Sequence, residues 1–378
     1  MHGDRMMQIK IYLRGSLMKS ITIEQFIKRD NNNLDLIRIM CAYFVIYAHA
    51  FALSPADGNN DILYKMTLLG YVSFGGVAVK TFFLISGLLV TNSLLSNGNI
   101  LNYISSRFFR VFPAYAATII ITAIIFGPWL SNFSLRDYFS YDDVWSYIFK
   151  TLRLDVQYNL PGVFVDNTLS AVNGSLWTIP MEIKSYFYLL LIYLTSIIFR
   201  SYKKTFIAII SIAILIEPFT PLKGHLIAKS EDPSIYLLYP FFSAGCLLAI
   251  LKNRITTSML FTLAIAAIIA FFLSDSDKAK TALFYVFASM SLLYASSLSL
   301  IRRLKIKNDI SYGVYLWAFP VQQTIASLFV ASPYVNILLS VVISSVFAYF
   351  SFKLIESPAM RLNKRMLQSN FFIQRQRS

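Results

Sequence analysis

Leu36-Ile37-Arg38-Ile39-Met40-Cys41-Ala42-Tyr43-Phe44-Val45-Ile46-Tyr47-Ala48-His49-Ala50-Phe51-Ala52-Leu53 decides the fold, because this run holds only one charged side chain, Arg38, and one imidazole, His49. As an α-helix it would be about 27 Å long at about 1.5 Å per residue, close to the hydrocarbon thickness of a bilayer. Working outward, similar runs lie at 71–95, 112–130, 177–199, 205–222, 235–251, 256–273, 281–300, 310–330 and 334–355. Composition agrees: of 378 residues, 56% are apolar and 14% charged, whereas a soluble domain carries about 25% charged residues. The mean hydropathy is +0.58. These features predict an all-α, polytopic membrane bundle of about ten transmembrane helices. Its 32 Phe and 23 Tyr exclude a disordered chain, and two cysteines inside apolar runs exclude a secreted disulfide scaffold.

The net charge of +15 is sorted by side. With the N-terminus placed in the cytoplasm, the inner segments sum to +17 and the outer ones to −4, with Arg38, Lys80, Glu182 and Lys184 inside or at the ends of spans. That is the positive-inside pattern, so both termini are expected in the cytoplasm. A nucleic-acid surface would need the bases gathered on one soluble face, and no such face is present, so nucleic acid is not expected as a partner. The chain divides into an N-terminal extension (1–30), a membrane domain (31–360) and a basic tail (361–378). Within the domain, residues 131–175 form an outer loop rich in aspartates and aromatics, either a connector or a cover for substrate. The first 17 residues read as an upstream extension, and no cleavable signal peptide precedes the first span.

Ionisable groups at membrane depth are costly to insert, so each raises a question of function. Arg38 and His49 are eleven residues apart, which leaves them about 20° apart on one helix face with about 16 Å of rise between them. His49 is one of three histidines and the one inside a span. An imidazole is the side chain best suited to take a proton near neutral pH, although a buried structural histidine is the plainer reading. Arg107 and Arg110 stand one helical turn apart at the start of the third span. They suit either interfacial anchoring or bidentate binding of phosphates.

The ordered motifs resemble those of the membrane-bound acyltransferase-3 family, which includes O-acetyltransferases of bacterial surface polysaccharides. The motifs are Asn33-Leu34-Asp35-Leu36-Ile37-Arg38 with His49-Ala50, Phe82-Phe83-Leu84-Ile85-Ser86-Gly87, and the pair Arg107 and Arg110. They continue with Gly174-Ser175-Leu176-Trp177-Thr178-Ile179-Pro180-Met181-Glu182, then Ser311-Tyr312-Gly313-Val314-Tyr315-Leu316-Trp317, then Ile355-Glu356-Ser357-Pro358. The resemblance covers roughly residues 31–360, in the form without an appended soluble domain. Lys80 stands where the family often has an acid, and Ala318 where it often has a histidine.

The resemblance implies an acyl-CoA donor, most simply acetyl-CoA acting as co-substrate without a metal. The implied acceptor is a hydroxyl of a surface glycan or lipid-linked glycan such as O-antigen, in a bacterial inner membrane among its lipids. His49, Arg38 and Glu182 are then the expected catalytic residues. Arg107, Arg110 and Ser86 are expected to hold the donor. Glu182 is placed near the depth of His49, to orient that ring or to pair with Lys184. Two other classes fit the composition: a multi-span transporter of an anionic solute, and a non-catalytic subunit of a polysaccharide-assembly complex.

Overall fold

The computed structural model describes residues 20–53, 61–70, 72–198, 202–221, 230, 232–329 and 332–377. Residues 1–19 of the stretch expected as an extension lie outside the described residues, as do 54–60 and 222–229. A helix covers each of the ten apolar runs: α1 (Leu34–Leu53), α2 (Phe74–Asn97), α3 (Ile100–Ile121), α4 (Thr178–Ile198), α5 (Lys203–Ile216), α6 (Leu238–Ile250), α7 (Thr257–Leu273), α8 (Asp277–Ser297), α9 (Ser311–Leu328) and α10 (Pro333–Ser351). A last helix, α11 (Ser357–Arg377), continues α10 through a π-helical turn at Phe352–Glu356. Among the described residues, six helical stretches are long and apolar enough to cross a membrane: Leu34–Leu53, Phe74–Asn97, Ile100–Leu130, Gly174–Ile198, Pro233–Ile250 and Pro333–Gln368. Of the roughly ten crossings expected, six are thus supported by length and composition among the described residues.

Local chemistry sets the helix ends. The asparagine run before α1 works residue by residue. Asn32 Oδ1 accepts from Leu34 N and Asn33 Oδ1 from Leu36 N, which satisfies amides that a helix start leaves free. The same Asn33 donates to the carbonyls of Ile301 (2.8 Å) and Leu304 (2.6 Å), so it also ties α1 to the segment that leads into α9. Ser73 caps α2, which ends at Gly98 in a left-handed conformation, φ 61°. Asn99 then caps α3 at once, so α2 and α3 are antiparallel neighbours.

The tightest helix pair is α2 with α6. A methyl group on Gly87 would overlap the Phe242 carbonyl, and one on Gly245 would overlap the Leu84 carbonyl, so both backbones touch because both residues lack a Cβ. In a bilayer, packing of this kind has to replace the hydrophobic drive available in water.

The segment between α3 and α4 is more than a connector. It holds helices at Leu135–Ser140 and Asp142–Leu152, joined to α3 by Tyr138 Oη donating to Ala123 O and Tyr115 Oη donating to Thr151 O. Ala123 lies in the π-helical turn Thr122–Phe126. Residues further along descend beside α9 in irregular backbone, where Gln323 Nε2 donates to Leu169 O and Ala171 O and Asn173 Nδ2 donates to Leu316 O. Irregular backbone packed deep against an apolar helix requires such side-chain partners.

Candidate active site

A cavity of about 1180 Å³ opens at the end of the bundle where α1, α3 and α9 begin. Its walls are the first halves of those helices, the second half of α2 and the first turns of α4. It gathers Arg38, Ser86, Arg107, Arg110 and Glu182, five of the six residues expected at the site, and its mouth carries Arg29, Arg302, Lys305 and Lys307. The floor includes Thr178, Phe82 and Tyr315, the two rings 6.0 Å apart and edge to face. Thr178 and Tyr315 hydroxyls lie 2.6 Å apart, and Tyr315 also donates to Ser175 O, so the floor is pinned to the descending segment.

Asp309 organises one wall. Its Oδ2 accepts from Arg38 Nη1 at 3.2 Å and from Arg110 Nη2 at 2.8 Å, while Oδ1 accepts from the Ser311 hydroxyl and amide. Burial pushes this carboxyl up, but Arg38 and Arg110, with the two Ser311 bonds, outweigh it and hold the acid at about 2. Arg38 is shared with Asp35 as well. Arg107 has no ion pair among the described residues. Arg302, which also lines the cavity, has none either, whereas one arm of Arg110, a turn along α3 from Arg107, is committed to Asp309. Sequence reading missed Asp309, although it is the one carboxylate among Arg302, Arg303, Lys305 and Lys307 before α9.

Across the cavity, Glu182 accepts from the Tyr186 hydroxyl, and Ser86 Oγ lies 2.6 Å from that hydroxyl and donates to Glu182 Oε1 at 3.4 Å. Tyr103 Oη donates to Tyr186 O, which fixes α3 against α4 at this level. Glu182 is thus held by Ser86 and Tyr186, not by His49 or by Lys184, which is exposed. The expected match in depth between Glu182 and His49 is replaced by a match between Glu182 and the Arg107 wall, because α4 starts beside the floor instead of at the far end of the bundle.

His49 does not line the cavity. It lies beyond the floor, on the same helix as Arg38, with its ring 5.1 Å from that of Phe319 at 77°, and Phe319 is one turn past Tyr315 on α9. Lys80 is also off the cavity, buried with its ammonium on Ser234 O (3.2 Å) and over the Tyr285 ring (4.5 Å). Glu356 is buried behind Arg110 in the π-helical turn, and Ser351 donates to its Oε1.

Residues 31–354 match the family profile described as an acyltransferase domain. The chain is a member of the acyltransferase-3 family. It is similar to an O-acetyl transferase of Shigella phage Sf6, 28% identical over 339 residues that cover 86% of this chain and 95% of that protein. It is also similar to nodulation protein 10 of Rhizobium leguminosarum bv. viciae, 26% identical over 364 residues, 89% of this chain and 95% of that one. No solved structure matches the chain. The acyltransferase is therefore a membrane protein whose apolar helices surround a polar, arginine-walled chamber.

Proposed function

We propose that this acyltransferase moves an acyl group, acetyl in the simplest case, from acyl-CoA to a hydroxyl of a surface glycan, with the donor entering from the cytoplasm and the acceptor from the outer side of a bacterial inner membrane. The carrying observation is the chamber at the basic end of the bundle, with Arg107 inside, without an ion pair among the described residues, and Arg302, Lys305 and Lys307 at the mouth. That is the chemistry for a nucleotide polyphosphate. At about 1180 Å³ it has room for a donor larger than a drug-sized ligand, whose sites run to about 1,000 Å³. The relative from phage Sf6 supports transfer of acetyl to oxygen.

In this reading the donor's phosphates meet Arg107 and the mouth cations, and its thioester reaches toward the floor. His49 takes the proton of the acceptor hydroxyl as that oxygen attacks the thioester carbonyl. The carbon–sulfur bond then breaks, and the departing sulfur takes the proton from His49, so that CoA leaves as the thiol and the imidazole is again free to act as base. Apolar helices around the chamber keep out water, which would otherwise compete as acceptor. Arg38, shared between Asp35 and Asp309, holds the wall in place beneath the base.

One observation favours a second assignment of the base: Glu182 lies in the chamber and His49 beyond its floor. His49→Ala and Glu182→Gln separate the two. A permeation path for an anion would need Lys80 and Lys184 along it, and both lie off the chamber. Analysis of the surface glycan by mass and NMR, with and without the gene, tests the function. An acyl ester that disappears with the gene supports it, and an unchanged glycan overturns it.

A further inference from the structure

α9 passes α1 just beyond the chamber floor, and two incomplete polar groups lie at that crossing. Gln322, fully buried, donates from Nε2 to Ile46 O at 2.8 Å. Side chains three residues apart share a helix face and lean toward its N-terminus, so the His49 side chain lies over the turn that contains the Ile46 carbonyl. The Gln322 amide, on the Ile46 carbonyl, and the His49 ring, on Phe319 one turn earlier in α9, thus share the α1–α9 crossing. Each group has one buried polar atom without a partner: Nδ1 of His49 and Oε1 of Gln322. Gln323, by contrast, is satisfied at both ends, by Leu169 O and Ala171 O on one side and Asn167 Nδ2 on the other. The vacancy at Gln322 is thus not a general feature of this stretch.

The sense of the Gln322 amide follows from its partner. A backbone carbonyl can only accept, so the NH₂ group must face Ile46 and the oxygen is the free end. That oxygen can only accept as well, so an imidazole nitrogen that pairs with it must carry the proton. We propose that Gln322 is the positioning residue of His49. Its Oε1 takes the Nδ1–H of the imidazole, directly or through one buried water, and so leaves the lone pair on Nε2 to act as base. Asn336 Nδ2 donates to Gln322 O at 3.0 Å and holds the backbone from the α10 side. The pairing removes two unsatisfied buried atoms at once and fixes both the tautomer and the tilt of the ring.

This inference rests on His49 being the base, but its test does not need substrate. The chain has two other histidines, His2 and His225. With both replaced by Gln and the remaining imidazole labelled with nitrogen-15, NMR of the protein in detergent reads which ring nitrogen carries the proton. The expected result is a predominant Nδ1–H tautomer, lost in Gln322→Met, which keeps the length but has no acceptor oxygen. In the same variant kcat for acyl transfer should fall by about tenfold or more while KM for acyl-CoA stays within about twofold, because only the base is disturbed. A predominant Nε2–H tautomer in the parent protein overturns the proposal even where the Met variant fails to fold. An unchanged tautomer and kcat in that variant overturn it too. If the Nδ1–H tautomer is found and no acyl transfer occurs, the pairing stands and the proposed function fails.

Discussion

Asp309 carries one negative charge and faces two guanidiniums, and Asp35 shares one of them, so Arg38 and Arg110 are balanced by two carboxylates and the positive charge left on this wall is that of Arg107. Because its carboxyl is held at about 2, below its ordinary value, its pairing contributes stability in full above the unfolded value and loses it as pH falls toward 2. Asp309→Asn should therefore lower the melting temperature in detergent at neutral pH by an amount equivalent to about 1–3 kcal/mol, reduced from the fully buried case because both arginines are partly exposed. Near pH 2 the variant and the parent should converge, and a gap that persists there would contradict the assignment. The arginines differ in what they can still do. Arg107→Lys keeps the charge but removes the fork, and is expected to raise KM for acyl-CoA about tenfold, whereas Arg110→Lys should act more through stability, because one arm of Arg110 already serves Asp309. Equal KM values for parent and Arg107→Lys would leave only an anchoring role.

At the scale of helices, close approach at Gly87 and Gly245 makes α2 and α6 one unit, and α2 carries Ser86 into the chamber. Gly245→Val would drive side-chain atoms into the Leu84 carbonyl, so the folded fraction after detergent extraction should collapse, as read by size-exclusion chromatography. Gly70→Ala, which meets only open space and a distant Tyr64 ring, should leave it unchanged. Equal folded yields for both variants would refute the packing account. The positions of the helices were legible in the sequence because a span is a local property of about twenty consecutive residues. Arg38, Arg107, Arg110, Ser86 and Glu182 could likewise be picked out one at a time. What joins them was not legible: Asp309 reaches Arg38 and Arg110 across distant parts of the chain, and the descent of residues 153–173 beside α9 depends on Gln323 and Asn173 finding carbonyls that hydropathy does not register. His49 was legible as an odd residue in an apolar run, but its place beyond the chamber floor was not.

For the whole molecule, the proposal requires that the basic end face the cytoplasm, where acyl-CoA is found. Asn97, at the end of α2, and Asp142, in the segment between α3 and α4, are both exposed and belong to opposite sides in that orientation. With the buried Cys41 and Cys246 replaced, Asp142→Cys should react with an impermeant maleimide in intact cells and Asn97→Cys only after lysis. The reverse pattern would turn the chamber mouth outward and remove its access to the donor. Function itself is tested most directly by acyl transfer from radiolabelled acetyl-CoA to the isolated surface glycan, catalysed by the purified protein and by His49→Ala at matched folded yield. The account predicts donor-dependent labelling of the glycan by the parent and a loss of at least about a hundredfold in the variant. Labelling by His49→Ala within about tenfold of the parent would contradict His49 as the base, and the absence of labelling by the parent would contradict acyl transfer from acetyl-CoA to that glycan.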